Sequence, residues 1–128
     1  MTQAELEKRL DMIKYYDVVI DQWQRHVNDY PYITLSPHNK TKLANEIRQT
    51  GIVEVKRYNG YRSKAIDLLD HAASDTDKEV LIRHYVHKQE YFDIAEEMFY
   101  SYSYIMHKVR NALKRLAANL KDVPAGNY

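Results

Sequence analysis

An all-α fold is predicted for this 128-residue chain from three features of its sequence. Apolar residues recur at spacings of three and four near both ends of the chain, the period that lines one face of a helix. Residue types that cap helices stand just before or after these periodic stretches. The short stretch Ile52–Tyr58 has strand character, and no partner strand is visible for it elsewhere. The expected layout is a long N-terminal helix, a small helical middle and three helices toward the C-terminus.

The first helix is expected over Gln3–Asn28. Leu6, Leu10, Ile13, Tyr16, Ile20, Trp23 and Val27 fall on one stripe, with Glu7, Lys8, Asp11, Lys14, Asp21 and Arg25 opposite. Such a stripe either packs inside the domain or pairs with a second subunit to give a homodimer, and both readings stay open here. Asn28-Asp29-Tyr30-Pro31 is loop chemistry. A second helix is expected over Pro37–Thr50, with Ser36 as its cap, Pro37 at its first position and Gly51 as the left-handed residue after it. Asn59-Gly60 reads as a turn, followed by a short helix over Ser63–Ala73 with Ile66, Leu69 and Ala73 on one side. Asp122–Tyr128 reads as a loose tail.

Thr76 followed by Glu79 has the spacing of a capping box, and acidic residues crowd that first turn, as the helix dipole favours. Val80, Leu81, Ile82 and Tyr85 then make a short buried helix ending near Val86-His87-Lys88-Gln89. A second helix, Tyr91–Met98, turns Ile94, Ala95 and Met98 inward. After Phe99-Tyr100-Ser101 a longer helix carries Ile105, Val109, Ala112, Leu113 and Leu116. The alternation Tyr100-Ser101-Tyr102-Ser103-Tyr104 would favour a strand by itself. Helical periodicity resumes at once after it, and Ser101 or Ser103 can cap the new helix.

Composition excludes several classes of function. There is no cysteine, hence no disulfide, thiolate metal site or cysteine nucleophile. No apolar run approaches the ~20 residues of a membrane span, and the acidic start is unlike a secretory signal. No membrane association and a cytosolic location are expected. His84, His87 and Glu90 have a spacing that could gather a metal, but nothing completes the site, and solvated histidines are the expectation. No cofactor, metal site or phosphate-binding glycine loop is expected, and the chain is not read as an enzyme. The twelve tyrosines are expected to fill the core and its rim.

The net charge is only +1, yet the charge is segregated. Between Ser101 and Lys121 stand Lys108, Arg110, Lys114, Arg115 and Lys121 with no acidic residue. Between Ala65 and Tyr100 carboxylates dominate, and the middle from His38 to Lys64 is basic again. A basic stripe matters more for phosphate binding than the total does.

The stretch IAEEMFYSYSYIMHKVRNALKRL resembles the helix-turn-helix of sigma-factor region four. In that family a buried alanine in the first helix of the motif lets the second cross close by, and Ala95 stands in that place. Ile94, Met98, Tyr100, Ile105 and Val109 match the flanking apolar positions, and Ala112-Leu113-Lys114-Arg115-Leu116 matches the close of the pattern. The resemblance covers about Ser74 to Asn119. It departs from the family at Phe99, where glycine is usual because the backbone there often takes a positive φ. Phenylalanine at that position implies a reshaped turn or local strain.

The resemblance implies an all-α, sigma-region-four-like DNA-binding domain over residues 74–121, preceded by a helical region over residues 1–73 and followed by a flexible tail over residues 122–128. The helix Tyr102–Asn119 would lie in the major groove. Tyr102, Ser103, Met106, His107 and Arg110 would face the bases, with Tyr104 at the margin. Lys108, Lys114, Arg115 and the hydroxyls of Ser101 and Tyr104 suit phosphates. In layout the chain is similar to phage late-gene transcriptional activators of the RinA, ArpU and LtrC type. That similarity implies double-stranded DNA and RNA polymerase as partners, with the acidic Asp93, Glu96 and Glu97 as a polymerase contact. A DNA-packaging protein like a phage small terminase subunit, or an interaction module such as an antirepressor or sigma mimic, stands as the alternative.

Overall fold

The structure is a computed structural model and describes residues 1–29 and 37–121, with side chains given for 1–26 and 42–121. It is all-α: five helices and no strand among the described residues. They are α1 (Gln3–Asp29), α2 (Pro37–Asp67), α3 (Asp75–Leu81), α4 (Tyr91–Met98) and α5 (Tyr102–Asn119). A 3-10 turn, Leu68–His71, follows α2, and a π turn, Ile82–Val86, extends α3. The cap expected of Ser36, the loop at Tyr30-Pro31, the side chain of Val27 and the tail Asp122–Tyr128 lie outside the described residues.

By packing, the chain divides into two units, residues 1–14 together with those from 63 on, and residues 15–62. The helices expected over residues 74–121 fall in the first of these units. The first turns of α1 and the end of α2 belong with α3, α4 and α5.

In the first unit, α1 opens on a reciprocal capping box that sequence reading overlooked. The Thr2 amide donates to Glu5 Oε2 at 2.9 Å, and the Glu5 amide donates to Thr2 Oγ1 at 3.2 Å. Leu6, Leu10 and Ile13 are fully buried, which places this half of the predicted stripe in the protein's own core. Around them close Ala65, Leu68 and Leu69, then Val80 and Leu81, then Ile105, Val109, Leu113 and Leu116. The Met1 ammonium donates to the carbonyls of Leu120 and Lys121 at 3.1 and 3.3 Å, so the start of α1 meets the end of α5. Cation on carbonyl at a helix C-terminus is the favourable sign for the helix dipole.

α3 starts earlier than the Thr76–Glu79 spacing suggested. Ser74 is its cap, extended at ψ 164° and accepting from the Asp77 amide at 3.1 Å. A serine three residues before an acidic residue has the spacing of a cap as well, and here it wins. Asp77 does not complete a capping box, because its carboxylate is directed inward, toward α5.

Over residues 37–73 the sequence predicts a helix, a stretch of strand character, a turn and a new helix. The structure instead runs α2 unbroken from Pro37 to Asp67, so Ser63–Asp67 is its last turn rather than the start of another helix. No glycine among the described residues has a positive φ, so Gly51 is not a left-handed stop, and Gly60 sits within the helix. Tertiary contact overrides the local preference. Tyr58 and Tyr61 pack edge-on or tilted against Tyr16 at 5.6–6.4 Å, counting their contact with each other and with Tyr15. Arg62 donates to Asp17 Oδ1 at 2.6 Å. Asp17 beside Arg62 and Trp23 beside Gly51 and Val55 show that α1 and α2 run antiparallel within this unit. Gly51 is buried between them.

Candidate nucleic-acid interface

α4 begins after Glu90 and buries Ile94 and Ala95. Ala95 is 4 % exposed, and its small side chain lets α5 cross close to α4. α4 ends in a Schellman arrangement: the Tyr100 amide bonds the Ala95 carbonyl at 2.9 Å, and the Phe99 amide reaches that of Glu96 at 3.4 Å. This arrangement requires a left-handed residue at position 99, and Phe99 adopts it, with φ 60° and ψ 38°. The turn is thus not reshaped around the phenylalanine. The backbone keeps the glycine conformation and carries the Cβ strain, about 1 kcal/mol for a residue of this kind. The Phe99 ring makes no compensating contact, being 93 % exposed.

Ser101 caps α5, accepting from the Tyr104 amide at 3.1 Å. Its hydroxyl proton stays available to a phosphate oxygen. The first turn of α5 carries no acidic residue, so the positive end of its dipole is uncompensated, as an anion site requires. Ile105, Val109, Ala112, Leu113, Leu116 and Ala117 form the inward face of α5. The opposite face holds Ser103, Tyr104, His107, Arg110 and Lys114, all exposed. Asn111, which sequence reading missed, is exposed in the middle of this face, four residues after His107. The same three-and-four spacing that located the core would have found it. An asparagine can bond adenine through two atoms at once.

Around this face the tyrosines interlock. Tyr100 and Tyr104 stack at 4.4 Å between ring centres, and Tyr102 meets the edge of Tyr91 at 6.3 Å. Tyr91 in turn stacks on His84 at 4.5 Å, and burial pushes the Tyr91 hydroxyl pKa up. Met106 is half-buried, which leaves it less of its surface for a base than the sequence suggested.

Two of the ten predicted contact residues are engaged inside the protein. Lys108 Nζ lies 3.0 Å from Asp77 Oδ1, and Arg115 holds both Asp77 oxygens through a fork at 2.7 and 2.8 Å. Asp77 is fully buried, and the Arg115 and Lys108 hydrogen bonds hold its carboxyl below the usual range. These cations fasten α5 to α3 and are positioned away from the outward face. The acidic residues of α4 are also divided. Glu97 pairs with Arg83 and accepts from Gln89 at 3.1 Å, whereas Asp93 and Glu96 are exposed.

His84 and His87 do not gather with Glu90 about a common point. The Nδ1 of His84 lies 3.1 Å from the Gln89 carbonyl, and among the described residues no three metal-binding side chains come together. No helix among the described residues is long and apolar enough to cross a membrane. α4 and α5 are a pair of crossed helices, of which α5 presents an acid-free outward face bearing a hydroxyl, an amide and the basic Arg110 and Lys114. No family model, no curated protein and no solved structure matches this chain.

Proposed function

We propose that this protein is a sequence-specific, double-stranded-DNA-binding transcriptional regulator, and that α5 is its recognition helix. The observation that carries the reading is the outward face of α5, where Ser103, His107, Arg110, Asn111 and Lys114 are exposed together beside an uncompensated helix N-terminus. Side chains of these types read base edges and phosphates. The buried Ala95 under the crossing agrees with the resemblance to sigma-factor region four. On that resemblance we further propose a phage or prophage late-gene activator working with RNA polymerase in the bacterial cytoplasm, with Asp93 and Glu96 as the polymerase contact. Such a protein has no catalytic role.

Selection of bound duplexes from a random pool, at near-physiological salt, tests the first step. Wild type should enrich a motif that a His107→Ala, Arg110→Ala variant loses. Binding without an enriched motif would favour a packaging role, and no binding at low salt would sink the DNA reading. Reversing the charge of Asp93 and Glu96 should abolish activation at a target promoter while DNA binding persists.

A further inference from the structure

Far from α5 in the sequence, the second unit carries a groove of about 650 Å³. Trp23 of α1 and Gly51, Ile52 and Val55 of α2 make its apolar surface, and Arg48 and Lys56 stand along it. None of the described residues lining it is a carboxylate. Ile52 is 57 % exposed, although a buried isoleucine would contribute ~2 kcal/mol. Arg48 donates to the neutral Asn45 amide oxygen at 3.4 Å, a long bond that leaves its charge uncompensated by that neighbour. An apolar floor bordered by cations is matched by a surface that is apolar along one line and acidic beside it.

We propose that this groove binds an acidic amphipathic helix of a partner protein. The lining residues of α2 extend over about three helical turns, which suits a partner helix of roughly 11–14 residues. Apolar residues at three-and-four spacing would cover Trp23, Ile52 and Val55, and flanking glutamates or aspartates would meet Arg48 and Lys56. Two other occupants fit less well. A second copy docked face to face would set Arg48 and Lys56 against their own counterparts. A nucleic-acid backbone would meet the cations but leave the indole and the aliphatic side chains uncovered. The proposal does not depend on the DNA reading, since no residue of α5 takes part.

Trp23 is the single tryptophan of the chain, so its fluorescence reports on this groove directly. The full-length protein is titrated with helix-forming peptides of that length, apolar at i, i+3, i+4 and i+7 and glutamate between. A matched series carries lysine instead of glutamate. The acidic series should shift Trp23 emission to the blue in a saturable way and bind at least tenfold more tightly than the basic one. Ile52→Ser should lose the shift, and Arg48→Glu with Lys56→Glu should invert the preference. All three residues are exposed, and unchanged helical circular dichroism confirms that each variant is folded. Equal binding of both series, or no shift with any acidic peptide, overturns the proposal. It is also overturned if Trp23 is already shielded in a dimer that Ile52→Ser dissolves, or if the double reversal abolishes duplex DNA binding while the acidic peptides remain inert.

Discussion

The two units of this protein bury their side chains to very different extents. Among the described residues, every buried apolar side chain belongs to residues 1–14 or to those from 65 on. The described part of residues 15–62 contributes none, although Tyr15, Val18, Ile52, Val53 and Tyr61 are large and exposed there. The first unit surrounds its core with pieces of several helices. The described residues of the second are two antiparallel helix segments, and a pair of helices cannot enclose a core on its own. It is held instead by tyrosine edges, the Asp17–Arg62 ion pair and the close approach at buried Gly51. The same helix, α1, thus carries fully buried apolar side chains in one half and partly or largely exposed ones in the other.

The largest expected effect contrasts those two halves directly. Ile13→Glu should cost about 4 kcal/mol or more and leave the first unit unfolded, because a charge would enter a fully buried site. Val18→Glu, further along α1 and 48 % exposed, should stay within about 0.5 kcal/mol of wild type. Urea denaturation followed by circular dichroism checks both. A folded Ile13→Glu variant would remove the distinction between the halves.

Next comes the buried carboxylate. Asp77→Asn should destabilise by about 3 kcal/mol, since it leaves Lys108 and Arg115 facing a neutral side chain. The Asp77 pKa is lowered on folding, so its contribution is fully present above the unfolded value of 3.8 and is lost as pH falls through the folded value. Denaturation midpoints measured below about pH 4 should therefore fall for wild type more steeply than for Asp77→Asn.

Smaller changes sharpen the comparison of backbones. Phe99→Gly should stabilise the first unit by about 1 kcal/mol by relieving the left-handed strain. Phe99→Ala, which keeps a Cβ, should change it by only a few tenths. In the second unit, Gly60 lies inside α2, and a Cβ added there would meet nothing within 4 Å. Gly60→Ala should add roughly 0.5–1 kcal/mol and slow amide exchange along that part of α2. Thermal melts of both variants, with hydrogen exchange for the second, would show whether either unit has slack.

Legibility from sequence followed the same division. α4 and α5 were readable to the residue, because each has periodic apolar positions that agree with its core neighbours, and α5 has a serine cap besides. α2 was not, because Val53, Val55, Asn59 and Gly60 carry local preferences against a helix and the packing that overrules them is distant in sequence. Tyr58 and Tyr61 find their partners on α1, far earlier in the chain. On the candidate interface, residue type located the basic stripe of α5, but type cannot say which cation is already paired inside the protein. Only the position of Asp77, 38 residues from Arg115, reveals that.

The pairing of Lys108 and Arg115 with buried Asp77 has a consequence in ion counting. Of Lys108, Arg110, Lys114, Arg115 and Lys121, two are occupied by Asp77, so on the proposed DNA-binding reading at most three are left to displace condensed counterions from a duplex. Each phosphate neutralised contributes a slope of about −0.9 to the logarithm of affinity against that of salt, so the segment from Tyr102 to Lys121 should give no more than about −2.7 instead of −4.5 per copy. Between about 50 and 200 mM salt, its binding would then weaken about 40-fold, where five engaged cations would give about 500-fold.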